Sequence, residues 1–144
     1  MTLNVLWVED EPSSMRFELI LAKKEGWIVT IANTVSKALE LIKNISFDLI
    51  VVDLIMPDDE FQETRGYANA EAGIGLVRSI RDTSRGGPTN PDIPLLVITA
   101  IDRESAKEVL RELPSARYYI NKPVDIDIYQ ELIHEITQQL EKTS

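Results

Sequence analysis

The sequence predicts one α/β domain in which an open parallel sheet carries helices on both faces. Three observations predict it. Five short runs rich in Leu, Ile and Val recur along the 144 residues, helical patterns separate them, and several runs are too continuously apolar to have a solvent-facing side. Strict strand–helix alternation implies right-handed crossovers between parallel strands, and the length suits a single core.

The strand runs are Leu3–Val8, Ile28–Ile31, Asp48–Asp53, Pro94–Thr99 and Arg117–Asn121. The first helical pattern extends from Ser13 to Glu25, with Gly26 as its C-terminal cap. In the second, Val35, Ala38, Leu39, Ile42 and Ile45 recur at helical spacing behind Thr34, an N-cap residue. A third helix is expected over Ala72–Asp82. A fourth follows Asp102, with Ala106, Val109, Leu110 and Leu113 on one face. The last, Asp125–Glu141, places Tyr129, Leu132, Ile133, Ile136 and Leu140 on one stripe. The whole chain, 1–144, reads as a single domain with extended loops near 57–72 and 83–93, and no repeat or linker interrupts it.

Composition narrows the function classes. A net charge of −9 argues against direct nucleic-acid binding, and Arg78, Arg81 and Arg85 are too few to form a basic face. No cysteine is present, which excludes disulfides and thiolate chemistry. No apolar run reaches membrane-spanning length and no export signal opens the chain, so a cytoplasmic protein without membrane contact is expected.

In open parallel sheets, ligands bind beyond the carboxyl ends of the strands. The first strand ends in Glu9, Asp10 and Glu11, the third in Asp53, the fourth in Thr99 and the fifth before Lys122-Pro123. With the first and third strands as neighbours, Glu9, Asp10 and Asp53 converge. At ~4 Å and an effective dielectric of ~20, each like-charge pair costs about 4 kcal/mol, so the acids must take up protons or a cation. Oxygen ligands alone favour Mg²⁺ over zinc. A carboxylate beside Mg²⁺ can act as a nucleophile towards phosphorus, with the Lys122 amine and the Thr99 hydroxyl stabilising the phosphoryl oxygens.

Four segments carry a resemblance. Val5-Leu-Trp-Val-Glu-Asp-Glu-Pro12, Asp48-Leu-Ile-Val-Val-Asp-Leu-Ile-Met-Pro57, Pro94-Leu-Leu-Val-Ile-Thr-Ala100 and Tyr119-Ile-Asn-Lys-Pro123 resemble the receiver domains of two-component response regulators, in order and approximate spacing over essentially the whole chain. The resemblance implies the flavodoxin-like (βα)5 fold, a doubly wound parallel sheet of strand order 2-1-3-4-5. It implies that Asp53 is the phosphoacceptor, that Thr99 and Lys122 contact the phosphoryl group, and that Thr99 and Tyr119 form the switch. Mg²⁺ would be held by Asp10 and Asp53 directly, by Glu9 through water and by the Ile55 backbone carbonyl. A cis peptide would join Lys122 to Pro123.

The implied partners are a histidine kinase or histidine phosphotransfer protein upstream. Downstream stands an effector protein, a homodimer or an effector domain outside this sequence, addressed through the fourth helix, fifth strand and last helix. The chain is thus expected to be a signalling switch rather than an enzyme. It departs from the family pattern where Ala72-Gly73 takes the place of an earlier Asp-Gly, which lengthens that loop by about a dozen residues. Ile55 and Ile101, two residues past Asp53 and Thr99, suggest slow loss of the phosphoryl group.

Alternatives remain open at this level. A degenerate receiver that docks partners without phosphorylation keeps the fold. An Mg²⁺-dependent aspartyl-phosphate phosphohydrolase would want an acid where Ile55 stands, and a nucleotide or flavin binder would want glycines where Glu9-Asp10-Glu11-Pro12 stands. Met56-Pro57 after Asp53 disfavours a simple helix cap there. An aromatic such as Tyr119 in a strand is usually a packing residue. Trp7 and Trp27 are assigned to packing, Glu11 and the Asp58–Glu60 run to solvent, and His134 to an exposed, inert position.

Overall fold

The structure, a computed structural model, describes residues 2–55, 71–101 and 118–142. Its elements are β1 (Leu3–Val8), a 3₁₀ turn (Pro12–Met15), α1 (Arg16–Lys24), β2 (Trp27–Ala32), α2 (Val35–Asn44), β3 (Leu49–Val52) and α3 (Glu71–Arg81). A second 3₁₀ turn (Thr83–Arg85), β4 (Leu95–Thr99), β5 (Tyr118–Asn121) and a C-terminal helix (Ile126–Lys142) complete them. The helix expected after Asp102, and the loop over 57–70, lie outside the described residues.

All neighbouring strands are parallel, and the sheet order is β2-β1-β3-β4-β5. This is the strand order that the resemblance implies. Alternation along the central strands divides the interior in two. Leu6, Val8, Ile50, Val52, Leu95 and Val97 face α2 and α3, where Ala38, Ile42, Leu76 and Ile80 meet them. Val5, Trp7, Leu49, Val51, Leu96 and Ile98 point the other way, onto Ala22 of α1 and Tyr129, Ile133 and Ile136 of the C-terminal helix. β3 and β4 are buried throughout and β1 at every position but Asn4, which explains their nearly continuous apolar sequence.

Local chemistry fixes the helix ends. The Thr34 hydroxyl accepts from the Lys37 N–H at 3.0 Å, the N-cap expected from sequence. Gly26 has φ +97° just past α1, where a side chain would be strained. The first helix is shorter than its periodicity suggests. Pro12 opens a 3₁₀ turn, and Met15, at φ −112° and ψ 26°, separates that turn from α1. Ile45, assigned to the buried stripe of α2, is instead exposed, because it follows the helix in an extended conformation.

The loop before β4 is built. Asp82 caps its 3₁₀ turn through the Ser84 N–H. Arg85 reaches the Ile80, Gly86 and Thr89 carbonyls with three different nitrogens. Thr89 is buried, and its hydroxyl donates to the Ile45 carbonyl while accepting from the Phe47 N–H at 3.3 Å. A groove of about 410 Å³ opens on this side of the sheet between Leu3, Phe47, Asp48, Ile93 and Leu140. None of the acids at the opposite strand ends lines it.

Trp27 packs as expected, and its indole N–H also donates to the buried Thr137 hydroxyl at 2.8 Å. His134 is exposed but not inert. Its Nδ1 lies 2.8 Å from Glu25 Oε1 and its Nε2 3.2 Å from Gln138 Nε2, joining the end of α1 to the C-terminal helix. Among the described residues no helix is long and apolar enough to cross a membrane.

Candidate functional site

Register brings the site together. Val8 pairs with Val52 across β1 and β3, so the next residue of each chain segment, Glu9 and Asp53, emerges at the same level. The Asp53 N–H donates to the Val8 carbonyl at 3.2 Å and the Glu9 N–H to the Ala32 carbonyl at 3.0 Å, which extends the ladder just beyond the strands. On the other side of β3, Val52 pairs with Val97, so Thr99 stands one residue beyond the Asp53 level. Thr99 in turn pairs with Asn121, and Lys122 follows across a cis bond to Pro123.

Glu9 and Asp53 are both buried, at 3% and 6% exposure. Two buried carboxylates repel unless a positive charge joins them. Lys122 supplies it. Its ammonium lies 2.8 Å from Asp53 Oδ2 and 3.0 Å from Glu9 Oε2. The second oxygen of each acid is also occupied: Asp53 Oδ1 accepts from the Ile55 N–H at 2.9 Å, and Glu9 Oε1 from the Glu11 N–H at 3.2 Å. Glu11 is thus exposed as a side chain while its backbone serves the site.

Burial pushes the Glu9 carboxyl above the ordinary glutamate range, with Lys122 and the Glu11 N–H drawing it partly back and a hydrogen bond with Asp10 adding to the rise. For Lys122, burial acts downward, but its hydrogen bonds and charge interactions with Asp53 and Glu9 outweigh it, and the ammonium is held above its usual range. Asp10 is half-buried beside Glu9.

Glu9, Asp10, Asp53 and the Ile55 carbonyl could offer a metal only oxygen donors, a set that would suit a hard divalent cation. Among the described residues no group of three or more acidic or histidine side chains is drawn together as a metal cage. The fit is therefore to an ion that retains waters and takes part of its shell from a ligand, as Mg²⁺ does, not to a fully protein-coordinated metal.

Thr99 is fully buried, and its hydroxyl accepts from the Ile101 N–H at a long 3.5 Å. Tyr119 is half-buried against the α2–α3 core, with its hydroxyl donating to the Ile101 carbonyl. Two residues that the sequence reading does not single out for this site also shape it. The N–H of Gly73 donates to the Leu54 carbonyl at 3.2 Å, and a Cβ there would lie 2.4 Å from Leu54 Cα. Thus α3 begins in direct backbone contact with the residue after Asp53. Asn121, at the end of β5, bonds the Ile101 carbonyl at 2.6 Å. The signal for it in the sequence is an Asn in a strand, a residue depleted there.

With this geometry in place, comparison with known proteins is informative. The chain matches the response regulator receiver domain family over residues 5–136. It is 30% identical over 129 residues to the transcriptional regulatory protein ZraR of Escherichia coli K12, covering 89% of this chain and 25% of that protein. It is 27% identical over 124 residues to an uncharacterised 14.6 kDa protein of Leptolyngbya boryana, covering 85% of this chain and 81% of the relative. The chain therefore spans about a quarter of ZraR. Among solved structures, the receiver domain of the Francisella response regulator 1452 superposes with a TM-score of 0.72 at 25% identity, covering 99% of both chains. A CheY-like receiver protein of Methanospirillum hungatei gives 0.73 at 22% identity over the full length of both, a likeness of fold.

Proposed function

Because the chain belongs to the response regulator receiver family of two-component systems, we propose that it is a phosphoryl-accepting switch whose acceptor is Asp53. The observation that carries the proposal is the Lys122 ammonium held between the buried carboxylates of Asp53 and Glu9, at 2.8 and 3.0 Å. A nucleophilic acid, neighbouring acids with oxygen donors, a side-chain ammonium and a buried hydroxyl are the parts that phosphoryl transfer to a carboxylate requires.

A histidine kinase or histidine phosphotransfer protein presents a phosphohistidine. An Asp53 carboxylate oxygen forms the new bond to phosphorus while the P–N bond breaks and its electron pair returns to the imidazole. The Ile55 N–H, bonded to Asp53 Oδ1, fixes the carboxylate plane. When bound by Glu9, Asp10, Asp53 and the Ile55 carbonyl, Mg²⁺ supplies neutralising charge for the phosphoryl oxygens. Lys122 leaves its two carboxylates and pairs with the phosphoryl group, which adds a charge of about −1.5 to −2. Thr99 donates to the same group, and Tyr119 follows the vacated space.

The output runs through the surface around β5, the C-terminal helix and the segment over 102–117, and its target is a downstream effector or a second copy of the chain. ZraR, and a further relative from Mycobacterium tuberculosis, are named as transcriptional regulatory proteins. An output of that kind would pass through an effector, since the −9 net charge opposes direct contact with nucleic-acid phosphates. Ile55 and Ile101, both apolar and flanking the site, would slow attack of water on the acyl phosphate.

Incubation with acetyl phosphate and Mg²⁺, followed by intact mass measurement, tests the proposal. The native chain should gain one phosphoryl group and Asp53→Ala none. No gain in the native chain, or an equal gain in the variant, would falsify it.

A further inference from the structure

The sheet ends on one side at β2, and that edge is unguarded. Among the described residues β2 pairs with β1 and with no other strand. Its six residues, Trp27-Ile-Val-Thr-Ile-Ala32, include no charge, proline or glycine, although the chain as a whole carries −9. Natural edge strands are commonly blunted by lysine, proline or a bulge. Of the seven large apolar side chains exposed among the described residues, four lie here. Ile28 and Ile31 are on β2, and Phe17 and Ile20 are on α1, the helix that packs on it. Exposed apolar surface is therefore concentrated at this edge, at the far end of the sheet from β5.

We propose that β2 is a docking edge for a second copy of this chain, which joins it antiparallel about a two-fold axis at Val29. The hydrogen-bond pattern sets that register. The Ala32 carbonyl accepts from the Glu9 N–H, and Val8 stands opposite Ala32. The alternation of a parallel ladder then turns the backbone groups of Ile28, Thr30 and Ala32 towards β1. Those of Trp27, Val29 and Ile31 point to the open side. In an antiparallel pair the residues that exchange bonds stand opposite one another, so Val29 meets its own copy and Trp27 meets Ile31 of the second chain. Such a self-complementary patch is what an isologous dimer needs. Charge fixes the direction. The carboxyl end of β2 lies beside Glu9-Asp10-Glu11 through the Glu9–Ala32 bond, while the exposed Lys23 and Lys24 end α1 just before its amino end. Antiparallel pairing sets the lysines of each copy towards the acids of the other, whereas parallel pairing would set like charges together. A strand edge alone buries less than the ~1,200 Å² in total that stable pairs reach, so the dimer is weak and forms with rising concentration. This inference does not use the phosphoryl-switch reading, and it leaves the β5 edge uncovered.

Sedimentation velocity over rising protein concentration tests the proposal, with urea unfolding as the check on folding. The native chain should pass from monomer to dimer and stop there. Ile31→Pro removes an outward N–H and no bond to β1, and Ile31→Lys places a charge on both sides of the contact. Each should weaken the dimer about tenfold or more, with the urea midpoint close to that of the native chain. Should the proline variant fail to fold, the lysine variant carries the test alone. Lys23→Glu combined with Lys24→Glu should also weaken the dimer, as should added salt in the native chain. A native chain that stays monomeric at every concentration, one that grows beyond a dimer, or a dimer that both Ile31 variants leave intact overturns the proposal. Phosphorylation is read separately by intact mass, so failure of either reading leaves the other standing.

Discussion

Replacing Lys122 by Met removes the one cation that, among the described residues, pairs with both Glu9 and Asp53, and keeps a flexible apolar stem in its place. The two acids are 3% and 6% exposed, while the lysine side chain retains 24% exposure. Removing one partner from a buried ion pair costs ~3–5 kcal/mol, and the partial exposure of Lys122 places this site at the lower end, about 3 kcal/mol. For a chain of this size that corresponds to a fall in Tm of about 10 °C.

The deficit should also depend on pH. Burial already raises the Glu9 carboxyl above its ordinary value of 4.5, and the hydrogen bond and charge of Lys122 are among the influences that lower it. Without Lys122, Glu9 titrates higher still. A group with a raised folded-state pKa gives stability that is complete below the unfolded value and lost as pH rises through the folded one. The variant therefore lies nearest to wild type towards pH 4.5 and furthest from it above the raised Glu9 value. Lys122 itself, also raised, contributes throughout the range below its ordinary 10.5 and does not blur that window. Urea unfolding followed by the fluorescence of the buried Trp7 and Trp27 reads the deficit at about pH 8 and about pH 5. Equal deficits at both, or none at either, would refute the assignment of Lys122 as the counter-charge of these acids.

Two further outcomes are expected. Gly73→Ala places a methyl group 2.4 Å from the Leu54 backbone, so it should cost about 2 kcal/mol and slow phosphorylation by displacing the residue next to Asp53. An unchanged melting temperature and phosphorylation rate would show that α3 does not brace the site. Thr89→Val keeps the shape but removes the hydroxyl shared by the Ile45 carbonyl and the Phe47 N–H. It should lower the stability measured in urea by ~1–3 kcal/mol without altering the phosphorylation rate, and a loss of rate would contradict the separation of this loop from the site.

The fold was legible because its central strands are covered on both sides. A run such as Leu49–Val52 has no solvent face to encode, so its sequence is continuous and its parallel setting can be inferred. The acids were legible for a related reason: charges directly after such runs have no packing role, and Glu9, Asp53 and Lys122 do meet. Asp10 is placed beside Glu9 rather than in a closed triad of acids. What the sequence could not carry are bonds whose partner is a backbone atom or a distant side chain. Arg85 finds one carbonyl at the end of α3 and two in its own loop, Asn121 finds Ile101, and His134 meets Glu25 across 109 positions of chain. None of these partners has a residue-type signature. The break at Met15 was hidden similarly, since helical periodicity continues through a 3₁₀ turn with little visible change.

The division of the interior into two layers with no residue in common has a consequence for how such a molecule changes over time. Volume lost beneath α2 cannot be refilled by atoms from beneath the C-terminal helix, because the hydrogen-bonded backbone of five strands stands between them. Each side must therefore solve its own packing problem, and substitutions on one side combine with those on the other nearly as independent events. Helices on opposite flanks are free to diverge at different speeds, provided the thin partition that presents Asp53 is left standing.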